Sequence, residues 1–151
     1  MIIELFGPKH YDGMLAITRQ NMAENFPRLT YNETKVRREF DSALVGSCGM
    51  ALFVAIHNDE IVGYVHAVAR EHAFADGVVV SLRAIYVRPS SRGGSAAVRL
   101  MSVFNEFSRQ AGAVETHVGV TSGYHTEQAR RFFEKLGYTY VGPLLIMNGE
   151  H

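Results

Sequence analysis

The chain has 151 residues, 47% hydrophobic and 20% charged, with 15 lysines and arginines balancing 15 aspartates and glutamates. This length points to one domain, residues 1–151, able to bury a core without metal or disulfide support. The balance of charge removes the global electrostatic footprint of a nucleic-acid-binding protein, and no apolar run reaches the ~18 residues of a membrane span.

Hydrophobic periodicity sets the expected elements. Residues 2–6 read as a short strand closed by Gly7-Pro8, and a helix fits residues 11–23. Thr30 and Glu33 have capping-box spacing for a second helix carrying Val36, Phe40 and Leu44 on one face. Residues 50–57 and 60–70 are two strands of a hairpin around Asn58-Asp59. A third, valine-rich strand covers residues 78–87 and stops before Pro89. Residues 95–111 form a helix with Ala97, Leu100, Met101, Phe104 and Ala111 on its apolar stripe, ended by Gly112. A strand over residues 115–120 follows. Thr126 then caps a helix through Leu136, with Ala129, Phe132, Phe133 and Leu136 buried and Gly137 as terminator. Residues 138–147 read as a final strand. The order βααβββαβαβ predicts a sheet with helices on its faces, partly antiparallel and partly parallel.

The terminus Met-Ile-Ile-Glu-Leu-Phe-Gly-Pro lacks the charged start and long apolar stretch of a signal peptide, so a cytoplasmic, reducing location is expected. The single cysteine, Cys48, excludes an intrachain disulfide and a cysteine-based zinc site. It has no basic neighbour to activate it and reads as an inert thiol. Arg37-Arg38 and Arg130-Arg131 read as solvated helix faces. The seven histidines show neither H-x-x-x-H nor H-E-x-x-H spacing, so no metal is expected.

The most informative stretch is residues 81–101. A buried strand ends at Val87, Arg88-Pro89-Ser90-Ser91 turns the chain, and Arg92-Gly93-Gly94-Ser95 leads directly into a helix. Small residues let backbone N–H groups converge on one anion. The helix N-terminus adds partial positive charge and unpaired donors, which suits a phosphate or pyrophosphate. Arg92 can add a full charge beside it. Ala96 and Ala97 keep the first turn thin. The loop lacks the Gly-Lys-Ser/Thr of a P-loop and the G-x-G-x-x-G of a dinucleotide site.

The segment Ile85-Tyr86-Val87-Arg88-Pro89-Ser90-Ser91-Arg92-Gly93-Gly94-Ser95-Ala96-Ala97 resembles the coenzyme A signature of the GNAT acyltransferase superfamily. Arg92 stands in the Arg/Gln place, Ala97 in the last small place, and Ser95 where glycine is usual, a change that matters if this position needs φ > 0. The hairpin from Leu52 to Tyr64 is similar to the family's central strands, and the segment from Thr126 to Tyr138 to its late helix. The resemblance spans nearly the whole chain. It implies an α+β fold, with helices on both faces of a mixed, mainly antiparallel sheet.

The resemblance also implies an activity: acetyl-CoA-dependent N-acetyl transfer, by direct attack of an amine on the thioester. The cosubstrate would lie on Ile85, Tyr86, Val87, Arg92, Gly93, Gly94, Ser95, Ala96 and Ala97, with Thr126 and Phe133 on the late helix. Phe133 occupies the place of the family's proton-donating tyrosine and has no proton to give. Tyr124 is the substitute acid, with solvent protonation or weak catalysis as alternatives. Ser81 falls where some relatives carry a glutamate base; Glu71, His66, His72 and His117 are the other candidates. The connection containing Arg28 and Tyr31 is where relatives meet the acceptor, a small-molecule or peptide amine. Homodimers are common in the family. The rival reading is a coenzyme A-binding regulatory protein with weak or no turnover, and a nucleotide-binding module that does not use coenzyme A comes third.

Overall fold

The computed structural model describes residues 1–149, apart from the side chain of Cys48, so the expectation of an inert thiol lies outside the described residues. The chain divides into two compact units, Met1–His117 and Val118–His151.

In the first unit, β1 (Ile2–Leu5), β2 (Met50–His57), β3 (Glu60–Glu71), β4 (Val78–Val87) and β5 (Ala113–His117) form one five-stranded sheet in the order β1-β2-β3-β4-β5. Every neighbouring pair is antiparallel except β4–β5, which is parallel. The mixed, mainly antiparallel sheet expected from the sequence is the one that forms. A parallel pair needs a crossover, supplied here by α3 (Ala96–Gln110). α1 (Tyr11–Asn25) and α2 (Glu33–Leu44) connect β1 to β2.

Alternation along each strand sends helices to opposite faces. Leu52, Val54, Tyr64 and Tyr86 share a core cluster with Met14, Leu15 and Ile17 of α1 and Phe40 of α2. Phe53, between two of these, meets Phe107 of α3 with ring centroids 6.4 Å apart. Helix α3 buries Ala96, Leu100, Met101, Phe104 and Ser108. Gly63 lets it approach: a Cβ there would lie 2.8 Å from the Tyr86 carbonyl oxygen and 3.2 Å from Leu100 Cδ1.

The hairpin turn is as expected, with Asn58 at φ 49° and Asp59 at φ 62°, the left-handed pair of a type I′ turn. Several local expectations are corrected. Helix α2 is capped by Asn32, whose side chain accepts from Lys35 N–H at 3.1 Å, rather than by Thr30; α2 starts at Glu33, which puts Asn32 at the cap position. Strand β5 covers Ala113–His117 instead of residues 115–120, because α3 ends at Gln110 and Gly112, at φ 69°, turns the chain at once into the strand.

The second unit contains α4 (Thr126–Lys135). Thr126 is its first residue and not its cap; His125 holds the cap position at φ 52° without a side-chain hydrogen bond. Phe133 is buried against Phe132 and Tyr138, with centroid distances of 5.4 Å and 6.1 Å. Gly137, at φ 99°, ends the helix as expected. The final strand expected over residues 138–147 is not formed: residues 138–149 carry no regular element. Pro143 removes a ladder donor from the middle of that run, beside Gly142. Among the described residues no helix is long and apolar enough to cross a membrane.

Candidate functional site

Strand β4 pairs with β5 only from Val78 to Ser81 and then continues to Val87. Beyond Val87 a single tight turn, Pro89–Ser91, is closed by Ser91 N–H donating to the Arg88 carbonyl at 2.9 Å and by Arg92 N–H donating to the Pro89 carbonyl at 3.3 Å. Gly93 takes φ 83° in open space, a conformation natural to glycine. Ser95 sits at φ −89°, ψ −4°, so its departure from glycine carries no backbone strain. The ladder of α3 begins with Arg99 N–H donating to the Ser95 carbonyl at 3.0 Å, which leaves the N–H groups of Ala96, Ala97 and Val98 outside it. Gly93, Gly94 and Ser95 are exposed, and Ala96 anchors the helix start at 1% exposure. Donors, helix dipole and small side chains coincide here, as an anion requires.

Arg92 does something the sequence did not indicate. Its guanidinium turns back toward the sheet. Nε donates to the Val87 carbonyl at 2.9 Å, and Nη2 meets Glu24 Oε1 at 2.6 Å. The Tyr86 hydroxyl donates to the other oxygen of the same carboxylate, also at 2.6 Å, and the guanidinium lies 5.5 Å from the Tyr86 ring centroid. Burial, then the Glu24 carboxylate, raises the Tyr86 phenol above its ordinary pKa. Glu24 was missed from sequence. One signal was available: it is an acid near the C-terminal end of α1, where the helix dipole disfavours negative charge.

On the α1–α2 face, Asn21 donates to the Tyr64 hydroxyl at 2.6 Å, and Asn25 donates to Asn21 at 2.8 Å. Burial pushes the Tyr64 phenol up to about 12. The Tyr31 hydroxyl and His66 Nε2 are buried without a hydrogen-bond partner among the described residues. Burial, then the nearby positive charge of Arg83, lowers the His66 imidazole to about 4. Arg83 is the extra residue of a β4 bulge opposite His66–Ala67, and it reaches Glu39 of α2 at 2.6 Å.

The remaining candidates are scattered. Ser81 pairs in register with His117, the last rung of β4–β5, and His117 Nε2 lies 3.7 Å from Glu115. Ile85 pairs with Val65, Tyr86 with Tyr64 and Val87 with Gly63. Glu71 is exposed at the end of β3. His72 is a loop fastener, its Nδ1 accepting from the N–H groups of Phe74 and Ala75 at 3.1 Å and 3.0 Å. Arg28 is exposed. Tyr124 is exposed in the second unit, ahead of Thr126 and Phe133 on α4. No group of three or more histidine, cysteine, aspartate or glutamate side chains is placed to hold a metal ion among the described residues.

The acetyltransferase (GNAT) family matches residues 13–138, and the chain belongs to this family. No curated protein matches it in sequence. Solved structures resemble it in fold at low identity. The aminoglycoside acetyltransferase AAC(6')-Iy, in complex with a bisubstrate analogue, CoA-S-monomethyl-acetylneamine, is 16% identical with a TM-score of 0.80, covering 99% of this chain and 98% of that one. A transcriptional regulator from Bacillus halodurans C-125 is 17% identical with a TM-score of 0.79, covering 98% and 99%. An aminoglycoside acetyltransferase from an uncultured soil metagenomic sample, in complex with sisomicin, is 14% identical with a TM-score of 0.76, covering 99% and 95%.

Proposed function

We propose that the protein is an acetyl-CoA-dependent N-acetyltransferase acting on a small-molecule or peptide amine. The observation that carries this reading is the join of β4 to α3. A strand that outruns its parallel neighbour ends in a small-residue loop, which opens a helix with its first donors unpaired. On this reading, the N–H groups of Gly93 to Ala97 hold the pyrophosphate. Backbone groups of Ile85, Tyr86 and Val87 align the acyl arm, and an N–H there polarises the thioester carbonyl. The amine attacks that carbonyl directly, and the thiolate leaves.

The buried, unpartnered Tyr31 hydroxyl and His66 Nε2 favour the α1–α2 side for the acceptor, since buried polar groups ordinarily find partners. His66 serves as a hydrogen-bonding group and not as the base, because an imidazole near 4 holds a proton too weakly. Ser81, beside His117, orients the water that takes the proton lost by the amine, and solvent protonates the leaving thiolate. An aminoglycoside is one acceptor class to test, given what two of the structural neighbours bind.

Single-turnover consumption of acetyl-CoA over a panel of amines, aminoglycosides included, tests the reading. Consumption with release of free thiol and formation of an amide supports it. Tight binding with no consumption for any amine favours the second reading, a coenzyme A-binding regulatory protein, to which the proton-less Phe133 already points. No affinity for coenzyme A by calorimetry defeats both.

A further inference from the structure

We infer that Glu24 is a positioning residue for coenzyme A binding, acting through Arg92, and that Arg92 holds the loop instead of touching the pyrophosphate. The inference rests on the acetyl-CoA reading above.

Gly93 and Gly94 are the most flexible residues of the loop, and their ordering carries the largest entropic cost. A backbone anion site built on them works only if both ends of the pair are held. The C-terminal end is held by α3, where Ala96 and Leu100 are buried at 1% and 0% exposure. The N-terminal end has no buried side chain: Pro89 and Ser90 are exposed, and Arg92 is the residue directly before the glycines.

To the backbone bonds that hold this end, among them Arg88 N–H donating to the Val62 carbonyl at 2.8 Å, Arg92 adds a side-chain anchor. Its Nε returns to the Val87 carbonyl at 2.9 Å, closing residues 87–92 into a ring. Its Nη2 meets Glu24 at 2.6 Å, and its face lies over Tyr86. Tyr86 binds the second oxygen of Glu24 at 2.6 Å, so the carboxylate joins α1, β4 and the loop at one point. Charge-assisted bonds of this kind are short and directional, and the guanidinium fork fixes orientation as well as distance. With its charge directed at Glu24, Arg92 leaves the anion to the backbone N–H groups and the α3 dipole.

Coenzyme A affinity, measured by calorimetry on the whole protein, tests this. Glu24→Gln and Arg92→Gln are each expected to weaken binding about tenfold, and the double variant no more than either alone, because both remove one device. Arg92→Lys is expected to match Arg92→Gln, since it keeps the charge and loses the fork. Glu33→Gln, whose carboxylate pairs with Arg19 and Arg37, is the control and leaves affinity unchanged. Thermal midpoints near wild type show that the loss is local; a Glu24→Asp variant partly restoring affinity supports the same conclusion. Wild-type affinity in Glu24→Gln together with a loss in Arg92→Gln that Arg92→Lys rescues would show that Arg92 contacts the phosphates directly, and the inference falls. Absence of wild-type binding would instead defeat the acetyl-CoA reading itself, and the inference with it.

Discussion

The side-chain amide of Asn21 donates to the Tyr64 hydroxyl across 2.6 Å, tying α1 to β3 inside the core. Both residues are buried. Tyr64→Phe strands that amide and is expected to destabilise the protein by about 1–3 kcal/mol, the usual cost of a buried donor left without its acceptor. Removing both partners costs less than removing one, so Tyr64→Phe combined with Asn21→Leu should recover part of the loss. Urea midpoints for the set measure this.

His66 makes stability depend on pH. Its imidazole falls from the ordinary 6.5 to about 4 in the folded protein. The unfolded chain therefore binds a proton that the native state refuses between those values. The contribution is intact above about pH 6.5 and is lost as pH falls toward 4, amounting to about 2 kcal/mol at pH 5. Wild type should lose that much more stability than His66→Gln between pH 7.5 and pH 5 in urea titrations; parallel losses would remove His66 as the cause.

Gly63→Ala is expected to cost about 1–3 kcal/mol, by overpacking. The new methyl would stand 2.8 Å from a backbone oxygen of β4, which cannot rotate away as a side chain does. A lowered thermal midpoint checks it.

Gly93→Val separates conformation from space. Nothing lies within 4 Å of the added Cβ, yet φ is 83°. A β-branched residue there costs on the order of 1–3 kcal/mol of local strain. The loop can relieve it by moving, so coenzyme A affinity should fall while the thermal midpoint changes little.

Much of the first unit was legible because its signals are local. Asn58-Asp59 marks a turn by chemistry alone, and the valine run of β4 and the spacing of Leu100, Met101 and Phe104 each state their own period. Glu24, Tyr86 and Arg92 were not legible as a group. Their hydrogen bonds span 62 and 68 residues, and nothing in a local window names a partner at that range. The Asn32 cap was missed because Thr30 and Glu33 offered a competing pattern two residues earlier. Residues 138–147 show the opposite error: their apolar content suits a strand, but a strand exists only through pairing, which no residue carries by itself. The chemistry at the acyl end stayed open for a related reason, since a base or acid is defined by its surroundings and Ser81, Glu71 and His117 are ordinary residues until something is placed beside them.

The order β1-β2-β3-β4-β5 also bears on how the first unit folds. β2, β3 and β4 are consecutive antiparallel neighbours, so their pairings close short loops, and such closures are fast. The parallel β4–β5 rungs must wait for α3 to form and cross over the sheet. The rungs from Val78 to Ser81, and β5 itself, are therefore expected to be completed last in refolding. Hydrogen-exchange labelling during refolding would show protection arriving in the β2–β3–β4 meander before it reaches β5, Ala113–His117.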